Sequence, residues 1–111
     1  MSDLDKVAAE LHVTTIEIRG WIAQGWLRPR ERNGAERELG PVFEPADLAR
    51  LRLIVELRHE LAVEEETMPV VLSLLDQVYG LRRRLSSLAR AVRRQPDEVR
   101  RAIAAAMRDD L

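Results

Sequence analysis

The 111 residues are 46% apolar and 33% charged, with a formal charge of −1, which fits one small domain with an appendage and leaves no room for two full-sized domains. The chain has no cysteine, which excludes disulfides, thiolate metal ligands and cysteine nucleophiles. The acidic start from Met1 to Lys6 lacks the basic and apolar regions of an export signal, and no apolar run approaches the ~20 residues that span a bilayer, so a cytoplasmic location is expected.

Leu4, Val7, Ala8 and Leu11 recur at helical spacing, and a second set, Ile16, Ile18, Trp21 and Ile22, starts a few residues later. This predicts a helix, a tight turn through His12 and Val13, and a second helix. Thr14 or Thr15 is suited to cap the second helix, and Gly25 to end it in a left-handed conformation. From Trp26 to Pro45 the helical period is lost. Asn33-Gly34 then predicts a hairpin wing over 26–45, whose strands Pro29 and Pro41 must keep short.

After Pro45 a third helix is expected, with Leu48, Leu51, Ile54, Val55 and Leu61 on one stripe and an end near Ala62. Glu64, Glu65 and Glu66 suit the approach to a new helix N-terminus, where carboxylates offset the dipole and Pro69 is tolerated. Next, Val71, Leu74, Val78, Leu81, Leu85, Leu88 and Val92 alternate three- and four-residue steps, the heptad seam of a dimerisation helix. Gln95-Pro96 interrupts it, and Asp97 is placed to cap a last helix carrying Val99, Ile103 and Met107. So short a chain leaves the far end of the long helix with little to pack against, which favours a homodimer.

The expected fold is therefore all-α with a small β wing. A winged helix-turn-helix-like domain over 1–66 is followed by a long coiled-coil-like dimerisation helix over 67–94 and a short C-terminal helix or tail over 95–111. Its charge is unevenly spread. Residues 1–66 hold nine basic and fourteen acidic side chains, and 67–111 hold nine and five, net −5 and +4.

Chemistry by the chain itself has no foothold. His12 and His59 fall on different elements without metal-ligand spacing, no serine lies in a nucleophile-elbow sequence, and no glycine-rich stretch cradles phosphate. No metal or cofactor is expected. His12 reads as a turn residue, His59 as solvent-facing, Trp21 and Trp26 as core or turn-packing residues. The arginine clusters at 82–84, 93–94 and 100–101 read as solvated helix faces. The protein is expected to act by binding rather than as an enzyme.

The order of these elements, together with Ile16-Glu17-Ile18-Arg19-Gly20-Trp21, Gly25-Trp26-Leu27-Arg28-Pro29, Phe43, Asp47 and Leu51-Arg52-Leu53-Ile54, resembles the MerR family of winged-helix regulators. Within that group, Leu57-Arg58-His59-Glu60-Leu61-Ala62-Val63 and the later Pro69, Val71, Leu72, Leu74, Leu75 and Asp76 are most similar to the CbpM family of chaperone modulators. That resemblance implies a chain without an effector domain that binds the J-domain of a CbpA/DnaJ-type co-chaperone and blocks its use of Hsp70 (DnaK). A basic J-domain helix calls for an acidic complement, which places the partner surface at Glu56, Arg58, His59, Glu60, Leu61, Glu64, Glu65 and Glu66.

DNA binding is the alternative. Arg19 sits where the MerR resemblance places a phosphate or base contact, and Arg28, Arg30, Arg32 and Arg37 decorate the wing. Against it, residues 12–40 carry five arginines and four glutamates, net +1, where counterion release requires a denser positive face. Gly20 also replaces the aromatic that usually follows the MerR arginine.

Overall fold

A computed structural model describes residues 3–110, so Met1 and Ser2 of the acidic start, and Leu111, lie outside the described residues. It contains α1 (Asp3–Leu11), α2 (Thr15–Ala23), a 3-10 helix (Gly34–Leu39), α3 (Pro45–Val55) running into a π turn (Glu56–Glu60), α4 (Met68–Arg93) and α5 (Asp97–Asp109). Two compact units divide the chain between Leu72 and Ser73.

In the first unit the turn between α1 and α2 is built from local signals. His12 takes φ 59° and lets its own N–H reach Ala9 O at 3.3 Å and that of Val13 reach Ala8 O at 3.0 Å, so it ends α1 in the left-handed conformation usually given to glycine. Thr14 then opens α2 with a capping box: the Glu17 amide donates to Thr14 Oγ1 at 3.0 Å, and the Thr14 amide donates to Glu17 Oε1 at 3.2 Å. Gly25, at φ 80°, closes α2 as expected, with Trp26 N–H returning to Trp21 O at 3.1 Å.

Leu4, Val7, Ala8, Ile18, Trp21, Trp26, Leu27, Leu51, Ile54, Leu57, Met68 and Leu72 form the core. Each large aliphatic side chain withdrawn from water there contributes about 1.5–3 kcal/mol before ordering costs are counted. Ile16, expected on the inner face of α2, is instead 79% exposed. Its position two residues before Ile18 turns it away from the face that Ile18 and Trp21 bury.

The wing differs from expectation. Among the described residues there is no strand: Arg30 and Val42 form one isolated antiparallel bridge, closed by Val42 N–H to Arg30 O at 2.6 Å. Asn33-Gly34 leads into the 3-10 helix instead of a hairpin turn. Pro29 and Pro41 precede the two bridged residues and have no N–H with which to extend the ladder. Arg32 secures the segment from the side, donating to Leu39 O at 3.3 Å, Gly40 O at 3.2 Å and Asp3 Oδ2 at 2.5 Å.

α3 starts at Pro45, with Asp47 Oδ2 accepting from the Glu44 amide at 3.0 Å. Its expected stripe changes phase at the π turn, where the ladder takes in an extra residue and Leu61 N–H bonds Glu56 O at 3.0 Å. Leu57 thereby enters the core, and Leu61, expected on the buried stripe, is 64% exposed. The first turns of α4 bury Met68 and Leu72, one residue off the expected seam.

In the second unit the remainder of α4 and all of α5 contain no fully buried described residue. Seam positions Leu74, Val78, Leu81, Leu85 and Leu88 are exposed, and Val71 and Val92, at its two ends, are half-buried. Gly80 is accommodated inside a continuous helix. Asp97 is not the cap expected for α5: Pro96 holds that position, and Asp97 lies in the first turn, ion-paired to Arg100.

Candidate functional site

The π turn and the segment after it hold most of the residues expected to form a partner surface. Ala62 takes φ 53°, reversing the chain so that Val63 N–H reaches Leu57 O at 2.9 Å. The Arg58 guanidinium fastens this reversal by donating to Val63 O at 2.6 Å. Glu64, Glu65 and Glu66 then form a turn in which Glu64 O accepts from the Thr67 and Met68 amides at 3.0 and 3.1 Å. Along this acidic edge of the chain, from the π turn to the start of α4, Glu56, Glu60, Leu61, Glu64, Glu65 and Glu66 are each exposed, as is Val70 in the first turn of α4.

Three members of the expected set do structural work as well. Arg58 is half-buried and holds the reversal. His59 is exposed, as expected, and also lies with Nε2 2.7 Å from Glu17 Oε2, while its ring meets Trp21 edge-on at 6.3 Å and 69°. Glu65 Oε1 accepts from Gln24 Nε2 at 3.3 Å. These contacts tie the acidic edge to α2.

Their α2 partners were not among the expected site residues. Glu17, Gly20, Trp21 and Gln24 repeat at three- and four-residue spacing, a visible signal of a shared helix face, but its partner becomes apparent only once the π turn is placed. Burial pushes the Glu17 carboxyl up, while the Thr14 amide and the His59 ring more than offset this and hold it below the ordinary glutamate range. Together with Trp26, Arg58, His59 and Glu65, this face lines an open cleft of about 400 Å³.

Of the residues expected for DNA, one is tied down and three are exposed. Arg32 is committed to Asp3 and two carbonyls, and it holds the Asp3 carboxyl below its usual value. Arg19, Arg28 and Arg30 are exposed. Arg19 and Arg37 share a cleft of about 610 Å³ with Glu31 and Glu38, so carboxylates stand among the cations there. Among the described residues no group of histidine and carboxylate side chains is arranged to hold a metal, and no helix is long and apolar enough to cross a membrane.

Two short helices joined by a three-residue turn, a bridged loop and a third helix define a helix-turn-helix protein. The family of MerR HTH regulatory proteins matches residues 3–90, and the chain belongs to that family. No curated protein and no solved structure matches it.

Proposed function

We propose that the chain is a chaperone modulator of the CbpM kind: it binds the J-domain of a CbpA/DnaJ-type co-chaperone through the acidic edge and keeps that J-domain from Hsp70. The observation that supports this most is that Leu61 is 64% exposed in a stretch of chain whose Glu60, Glu64 and Glu66 are exposed as well. An exposed apolar residue in an acidic stretch of chain complements a protein surface that is both basic and apolar, since charge sets register and approach while the apolar side chain supplies desolvation. Phosphate backbone offers nothing for Leu61 to bury against. Covering the J-domain surface inhibits by occupancy alone, so no catalytic group is required.

The modulator works as a homodimer in this reading, with the seam from Val71 to Val92 pairing two copies. Capture of a purified J-domain tests the surface: reversing Glu60, Glu64, Glu65 and Glu66 to Lys abolishes capture, and unchanged capture removes the proposal. Steady-state ATPase of Hsp70 with J-domain falls as the protein is added. Salt-sensitive retardation of genomic DNA fragments, lost on Arg19→Ala and without J-domain capture, would replace this reading by operator binding.

A further inference from the structure

Between Gln77 and Pro96 the chain carries six arginines and no carboxylate, and all six are exposed. Four of them, Arg82, Arg83, Arg90 and Arg93, fall within about 100° of one another around the α4 axis and span about 17 Å of its length. Ser86 lies among them, and Arg94 follows directly after the last helical residue. Arg84 stands apart, nearer the seam. Helix-dipole compensation accounts for Arg90 and Arg93 in the last turn, but not for Arg82 and Arg83, about three turns earlier. The first carboxylate beyond the stretch, Asp97, is ion-paired to Arg100. Charge on this face is therefore concentrated in one sign, which counterion release requires and which the mixed charges of the wing do not supply.

The neighbours of these arginines select the occupant. Guanidinium forks match phosphate oxygens, and the Ser86 hydroxyl donates to the same kind of acceptor. A protein partner needs apolar area to desolvate at the centre of its interface, yet Leu81, Leu85, Leu88 and Val92 lie about 140° round the helix from the arginines. That separation also disfavours a lipid surface, because immersing the leucines holds the cations away from the headgroups. Single-stranded nucleic acid is held on several stacking rings, whereas this face has Tyr79 alone, engaged by Arg82 at 6.0 Å. Duplex DNA asks only for cations and donors, and its major groove admits a helix, which the narrow major groove of RNA does not.

We propose that this face of α4 binds the phosphate backbone of duplex DNA without regard to sequence, outside the helix-turn-helix. Fluorescence anisotropy of the full chain on short duplexes of unrelated sequence is expected to give one affinity for all, with a logarithmic salt slope of about −4. Arg83→Gln, Arg90→Gln and Arg93→Gln together lower the size of that slope by about three and the low-salt affinity roughly hundred-fold. Circular dichroism of this triple variant keeps its helix content, since glutamine suits a helix as well as arginine does. Arg19→Ala leaves slope and affinity unchanged.

Absence of binding at low salt, a triple variant that binds like the unaltered chain, or loss of binding on Arg19→Ala alone overturns the proposal. Binding to poly-glutamate or to phosphatidylserine vesicles as tightly as to the duplex, through the same arginines, overturns it as well and transfers the face to an acidic protein or a lipid surface. The inference stands apart from the J-domain reading. The triple variant is expected to capture a J-domain like the unaltered chain, and loss of capture with the fold intact overturns the assignment of these arginines to DNA.

Discussion

The stretch ending at Leu72 and the stretch beginning at Ser73 are both helical, but they relate to water in opposite ways. Every described residue that is fully buried and apolar belongs to the first. The second displays Leu74, Val78, Leu81, Leu85 and Leu88 to solvent. Helical pattern alone therefore does not reveal whether a stripe is already satisfied. A core stripe is interrupted by caps and turns within a dozen residues, as in α1 and α2, whereas a stripe sustained over three heptads outruns the small domain available to cover it.

The sharpest way to break this contrast is to damage each region separately. Leu51→Ala removes a fully buried side chain and is expected to cost about 2–5 kcal/mol in a thermal or denaturant melt, without altering sedimentation of the folded fraction. Leu81→Asp should do the reverse. It is expected to weaken self-association roughly hundred-fold in sedimentation equilibrium, about 3 kcal/mol, while α1, α2 and α3 stay folded. Identical monomeric behaviour of the unaltered protein and the Asp variant at micromolar concentration would remove the pairing of seams.

Smaller effects probe how the first region holds itself together. Thr14→Ala deletes the hydroxyl that accepts from Glu17 N–H and is expected to lower stability by about 1 kcal/mol. Ala62→Gly acts in the other direction. At φ 53° glycine relieves left-handed strain worth about 1 kcal/mol, seen as a higher melting temperature with no change at the seam.

Acidity gives the smallest and most local test. The folded Glu17 carboxyl lies below its ordinary value, so its stabilisation is complete near neutrality and is lost as pH falls from the ordinary glutamate range through the lower folded one. Glu17→Gln should flatten that part of the stability–pH curve, and a melt series down the acid limb measures it.

Much of the helix-turn-helix was legible because its signals are local. Thr14, Gly25 and Pro45 specify ends within three or four residues, and Leu4, Val7, Ala8, Leu51 and Ile54 repeat at the helical period. What was not legible depended on side chains far apart in sequence. The wing lost its hairpin partly to Arg32, whose carbonyl and Asp3 partners no local pattern announces. Leu57 and Leu61 exchanged places because the π turn shifts the phase of the stripe. Within the candidate site the carboxylates of the acidic edge were readable from composition, but the bond from His59 to Glu17 spans 42 positions and no spacing rule reaches so far.

Arg32 carries one consequence more. Because a single guanidinium gathers the Asp3 carboxylate and the carbonyls of Leu39 and Gly40, the opening turn of α1 acts as a clasp on a loop 29 positions downstream. Asp3→Asn should be felt there first, as faster proteolytic nicking near Gly34 while the helices themselves endure.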